Sequence, residues 1–196
     1  MKKQQLFILI SFLALLFIQR TVKVDDSKDR NVRLVGPQPV GSILVPTNQL
    51  LRPAGFQLEF NGRPVDLSLS PDGNLLAVLN KNSLEIIKVY DRTILQRLKV
   101  DKGASYNGIV FSDDGSKIFV SQARDKILIA EKDGNNVFTW KDNITFDKPE
   151  FGGHPVPGGI NLDEENNLLY VTLNRSNSLA VVNLSNNSIS EIPVGV

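Results

Sequence analysis

The chain has 196 residues, of which 41% are hydrophobic, with 22 Lys+Arg against 21 Asp+Glu, one histidine and no cysteine. That size holds one ordinary domain or part of a larger one, and its net charge of +1 leaves no cationic excess for a broad nucleic-acid surface. The lack of cysteine excludes a disulfide scaffold, a thiolate zinc site and a cysteine nucleophile; the single histidine excludes a two-histidine metal site but leaves a Ser-His-Asp set arithmetically open.

Lys2 and Lys3 precede a run from Leu6 to Ile18 in which only Ser11 is polar, and Gln19-Arg20 ends it. A positive start followed by an apolar stretch of this length predicts an export signal over residues 1–20. A spanning helix needs roughly 20 apolar residues, so a permanent anchor fits less well. No small-x-small site follows Ile18, so a cleaved signal and an uncleaved signal anchor both stand, and no cysteine is present to carry a lipid. Cleavage after Arg20 would remove three cations and take the net charge from +1 to −2. Residues 21–55 are expected to be a linker and lead-in, beginning with the charged, aperiodic TVKVDDSKDRNVR.

From there on no long stripe of 3.6-residue period occurs, and short β-rich runs alternate with Gly, Asn, Asp and Pro. The expected class is all-β. An internal repeat sets the architecture. Val65–Val78, Asn107–Val120 and Gly158–Val171 each read as a strand, a polar turn and a second strand of nearly continuous apolar residues. The turn moves from Gly73 to Gly115 to Asn166, spacings of 42 and 51 residues. The first spacing matches a four-stranded propeller blade of about 40–45 residues, and the second implies an insertion. Middle strands of a blade are covered on both faces, which suits Leu75-Leu76-Ala77-Val78-Leu79 and Leu168-Leu169-Tyr170-Val171.

Third strands are expected at Ser83–Val89, Lys126–Ala130 and Ser178–Val182, and fourth strands at Ile94–Val100, Val137–Trp140 and Ile189–Val194. The insertion falls between Lys141 and Pro157 and carries Phe151-Gly152-Gly153-His154-Pro155. Phe56–Phe60 stands where a fourth strand precedes each later copy; in many propellers such a strand closes the ring by completing the last blade, whose other strands do not occur in this sequence. Three repeats cannot close a ring, since six or seven blades require roughly 250–300 residues. Residues 56–196 are therefore expected to be an incomplete propeller: a fragment, a truncated reading frame or a subunit completed by another chain.

Leu169-Tyr170-Val171-Thr172-Leu173-Asn174, continuing to Ala180-Val181-Val182-Asn183 and Ile192-Pro193-Val194-Gly195, resembles the YVTN-type (YncE-like) β-propeller repeat, with Leu173 interrupting the Tyr-Val-Thr-Asn signature. The other copies keep the strand order and the Asp-Gly turn but read Ala77-Val78-Leu79-Asn80 and Phe119-Val120-Ser121-Gln122 at the signature. The stretch from Gly41 to Gly55, followed by Gly62-Arg63-Pro64-Val65-Asp66, is similar to the start of exported proteins in which such a propeller precedes an alkaline-phosphatase-superfamily phosphoesterase domain. That resemblance implies a parent architecture; the metal ligands and nucleophile of the catalytic domain cannot be assigned in this chain. No catalytic residue, metal ligand or cofactor is expected.

Lys81, Arg124 and Arg175 fall in the connections between second and third strands, which emerge on one rim of a propeller. Arg63, in the entry to the first blade, is expected on the same rim, and a glycine-bounded loop would carry His154 toward the central opening. These five residues are the candidate ligand site, an arc facing an anion. The ordinary alternatives are solvated turn charges and a loop histidine without chemical duty. Asp72, Asp113, Asp114, Glu164 and Glu165 sit in the opposite turns, where carboxylates serve turn geometry. No EF-hand, P-loop or dinucleotide fingerprint occurs, and Asn143-Ile144-Thr145 has the form of a glycosylation acceptor without predicting one. The expected function is an exported binding or interaction module with an unknown ligand or domain partner, no nucleic acid, and membrane contact only through an uncleaved signal. The alternative is the propeller portion of a phosphoesterase or a lactonase-like hydrolase.

Overall fold

The computed structural model describes residues 34–39 and 41–195, and these hold strands and turns and no helix. The expected export signal, and the linker sequence up to Arg33, lie outside the described residues. Two compact units divide between Gln57 and Leu58. In the first, β1 (Gly36–Gln38), β2 (Ser42–Leu44) and β3 (Leu50–Leu51) form a three-stranded antiparallel sheet, closed by a turn at Asn48 whose φ is 61°. The stretch expected to be lead-in thus carries a small sheet of its own.

The second unit is three four-stranded antiparallel sheets, each built from consecutive strands. Blade one is β4 (Pro64–Leu69), β5 (Leu75–Asn80), β6 (Ser83–Lys88) and β7 (Thr93–Lys99). Blade two is β8 (Ala104–Phe111), β9 (Lys117–Gln122), β10 (Lys126–Lys132) and β11 (Phe138–Thr145). Blade three is β12 (Pro157–Asp163), β13 (Leu168–Leu173), β14 (Ser178–Asn183) and β15 (Ser188–Pro193). The expected all-β partial propeller is what the chain forms. Successive first strands contact one another, β4 with β8 and β8 with β12, so they are the inner strands.

Residues 56–60 join no sheet among the described residues, as the absence of the strands they would pair with in a last blade requires. The last strand of blade two runs to Thr145, four residues into the expected insertion, because β10 is long enough to pair with it from Lys126 to Lys132 across a bulge. In the third copy the left-handed turn residue is Asn167 (φ 55°), not Asn166; Gly73 (71°) and Gly115 (68°) hold that role in the others. The shift arises because Asn167 N–H donates to Glu164 across a turn one residue later than Gly73 to Ser70 and Gly115 to Ser112.

Two apolar cores lie between the blades. Ala77, Leu79, Leu84 and Ile86 of blade one meet Phe111, Ile118, Val120 and Phe138 of blade two. The other face of blade two, with Phe119, Ile127, Ile129 and Ile144, meets Leu169, Val171, Ala180 and Val182 of blade three. Blade two is covered on both sides, which is why β9 shows no polar alternation. Each fully buried side chain of this kind contributes about 1.5–3 kcal/mol. Leu173, the residue that interrupts the resembling signature, belongs to the second core.

Polar clamps fix the blades in register. The Gln96 amide of β7 grips the backbone of Phe138 in β11, donating to its carbonyl at 2.5 Å and accepting its N–H at 2.9 Å. At the inner strands, Gly108 N–H donates to Asp66 Oδ2 at 2.7 Å and Ser121 Oγ donates to the Gly158 carbonyl. Gly108 has a φ of 110°, and a Cβ there would overlap both the Gly158 carbonyl oxygen and Ser121 Oγ. Glycine is what lets three blades approach at this point.

Candidate functional site

One rim carries the connections from second to third strands and those that enter each blade. A relay of backbone bonds knits them together. Lys81 N–H donates to Arg63, Ala104 N–H to Lys81, Ala123 N–H to Gly103, Val156 N–H to Arg124 and Asn174 N–H to Val156. Side chains reinforce the relay where strands end in amides. Asn80, 2% exposed, accepts from the N–H groups of Arg63 and Lys81 and donates to the Asn61 carbonyl. Gln122 repeats the device in blade two, donating to the Asp101 carbonyl at 2.8 Å. Leu173 occupies that register in blade three, so there the apolar core replaces the amide.

The relay encloses a cavity of about 450 Å³ on this rim. Four cations line it: Arg63, Lys81, Lys102 and Arg175. Tyr106, on the inner strand β8 and 73% exposed, stands beside them with the amides of Asn82 and Asn174. No carboxylate lines the cavity. Among the described residues, Arg63, Lys81 and Arg175 make no ion pair, and Lys102 faces only Asp101, at 3.9 Å with both side chains exposed. Arg175 is aimed by the insertion, its Nη1 donating to the Gly152 carbonyl at 2.7 Å and its backbone N–H to the Pro155 carbonyl. Four neighbouring cations, three of them without an ion pair among the described residues and the fourth with a long, exposed one, make a site of positive potential that an anion would neutralise.

Of the five residues singled out in the sequence, the cavity gathers Arg63, Lys81 and Arg175. Arg124 does not line it, although it holds the same place after its strand as Asn82 and Arg175, which do; of the connection between β9 and β10 only Ala123 reaches the cavity. His154 does not line it either. Its buried Nδ1 has no hydrogen-bond partner and lies 3.7 Å from Asp125 Oδ2, a contact that becomes an ion pair when the imidazole is protonated. Lys102 and Tyr106 were missed: they belong to the blade-two entry, where the repeat alignment starts only at Asn107. The positive φ of Lys102, 63°, is the local feature that turns the chain there.

The opposite rim is built differently. Asp72 accepts from Ser70 Oγ at 2.5 Å and Asn74 N–H at 3.0 Å, and these bonds, the serine's foremost, lower its pKa to about 2. Asp114 is held likewise by Ser112 Oγ and then Ser116 N–H, also at about 2. Each carboxylate is spent inside its own turn. No group of three or more metal-ligating side chains occurs among the described residues.

No family model matches the chain, and no curated protein matches it. Solved structures do. A six-phosphogluconolactonase described as putative, from Bacteroides uniformis, superposes with a TM-score of 0.55 at 18% identity over 78% of this chain and 48% of its own. The RRP9 WD40 repeats give 0.56 at 19% identity over 70% and 40%. Hydrazine synthase of Kuenenia stuttgartiensis gives 0.54 at 16% over 71% and 38%. The chain therefore spans less than half the length of these three structures. At such identities the likeness establishes the propeller fold and leaves ligand and chemistry to the residues of this chain.

Proposed function

We propose that the chain is an exported propeller binding module of the YVTN type, a portion of a larger assembly, whose cationic rim recognises an anionic ligand or an acidic surface of a partner domain. The observation that carries this reading is the cavity lined by Arg63, Lys81, Lys102 and Arg175 with no carboxylate among its walls. Export rests on the Lys2-Lys3 start and the apolar run from Leu6 to Ile18. A hydrolase propeller is the second reading, favoured by the likeness to the Bacteroides uniformis structure described as a lactonase and by the resemblance to propellers joined to phosphoesterase domains. The lining offers cations, amides and a phenol but no carboxylate or histidine to act as a general base, so binding is the better-supported role.

The test uses the full chain and pyranine, a fluorescent trisulfonate. Anisotropy should report saturable binding that weakens as salt rises, and Lys81→Glu with Arg175→Glu should weaken it by at least about 10-fold. Equal binding by wild type and the double variant would remove this cavity as the anion site.

A further inference from the structure

Resting on that reading, we infer that the ligand class is an acidic oligosaccharide, a chain of sugar rings carrying carboxylates on successive residues. Three features of the cavity lead there. The first is dispersion of charge. Arg63 enters blade one, Lys81 lies between β5 and β6, Lys102 between β7 and β8, and Arg175 between β13 and β14. A phosphate at a helix end is held by donors converging on one point, whereas cations delivered by four separate connections suit anionic groups set apart along a ligand. Held simultaneously, such groups reinforce one another, since binding of the second is effectively intramolecular.

The second feature is Tyr106. It is 73% exposed in the wall of a charged cavity on a strand whose neighbours Ser105 and Gly108 are buried. An aromatic face left bare on a rigid strand offers a platform for a flat apolar surface, and the C–H face of a pyranose ring is one that carries polar groups around its edge. The third feature is the pair of amides. Asn82 and Asn174 interleave with the cations and each offers both donors and an acceptor, which match hydroxyl groups able to do both. At about 450 Å³ the cavity has the size of a site for a ligand of a few rings.

The experiment is calorimetric titration of the full chain with tri-galacturonate, galacturonate, a neutral trisaccharide (maltotriose) and ADP, alongside the pyranine assay. Tri-galacturonate is expected to bind at least about 10-fold more tightly than galacturonate, with maltotriose silent. Tyr106→Ala should weaken tri-galacturonate by about 10-fold while changing pyranine binding less than twofold if the trisulfonate engages charge alone, and Tyr106→Phe should restore it. If pyranine binds through Lys81 and Arg175 but tri-galacturonate is no tighter than galacturonate, or ADP is tighter than both, the sugar class is wrong and the anion site stands. If neither pyranine nor any uronate binds a preparation that retains its folded β-sheet signal, the anion site itself fails and the inference falls with it.

Discussion

The two rims of the propeller unit spend their charges in opposite ways. On one, Asp72 and Asp114 are occupied by serine hydroxyls and backbone N–H groups of the same turn, so their charge is used before any ligand arrives. On the other, Arg63, Lys81, Lys102 and Arg175 share a cavity with no carboxylate in its walls. A charge satisfied within its own turn is explained by the turn; among the described residues Arg63, Lys81 and Arg175 have no such partner, and Lys102 has only the exposed Asp101 at 3.9 Å. The backbone relay shows that the second rim is no looser for this, since every connection in it is tied to the next.

Breaking the tie should give the largest effect. Asn80 satisfies two N–H groups and one carbonyl at the entry to blade one while nearly sequestered from water. Asn80→Ala removes all three bonds, Lys81 N–H keeping only the Arg63 carbonyl, and a loss of about 1–2 kcal/mol is expected, read as a lower denaturant midpoint at constant m-value. Pyranine affinity should fall in the same variant because Arg63 and Lys81 are positioned by that amide. A variant with unchanged midpoint and affinity would show that the relay's backbone bonds suffice.

The acidic rim is tested by pH. Both aspartates have folded pKa values of about 2, below the ordinary 3.8, so their contribution to stability is complete above 3.8 and is lost as pH falls through about 2. Asp72→Asn with Asp114→Asn should therefore be less stable at neutral pH and should flatten the acid limb of the stability curve between those values. Pyranine binding should not change. An undiminished acid limb would mean that the turns are held by their backbone bonds alone.

Arg124 and Arg175 hold the same register, two residues past Gln122 and Leu173, yet only Arg175 lines the cavity. Ala123 lines the cavity at the position of Lys81, and Arg124 lies beyond it. Ala123→Lys should strengthen pyranine binding by about threefold, while Arg124→Gln should change it by less than about twofold. The reverse ranking would put Arg124 in the site.

The strand order of all three blades, their inner pairing and the rim shared by Lys81 and Arg175 were legible because covered middle strands leave continuous apolar runs between turn residues, as Leu75–Leu79 does. What escaped notice depends on partners distant in sequence. Gly108 looks like an ordinary strand glycine until Gly158 and Ser121 are set against it. Lys102 and Tyr106 carry no motif, and only the meeting of loops from three blades makes them part of a cavity. Arg124 shares connection and register with Arg175, and its place outside the cavity wall is not legible from the repeat.

The smallest effect bears on whether the cationic rim is kept at a cost. Cations with no carboxylate nearby repel one another, and an exposed repulsion of this kind is weak and screened by salt. Lys81→Gln should therefore stabilise the free chain slightly, by on the order of 0.3 kcal/mol at low salt, and the gain should vanish as salt rises. The same substitution should weaken pyranine binding. Opposite signs for stability and binding distinguish a site held ready for an anion from a solubilising surface, where removal of one lysine would leave both unchanged. A destabilised Lys81→Gln at low salt would show that Lys81 has a favourable interaction within the chain, and the contrast between the rims would then rest on Arg63, Lys102 and Arg175.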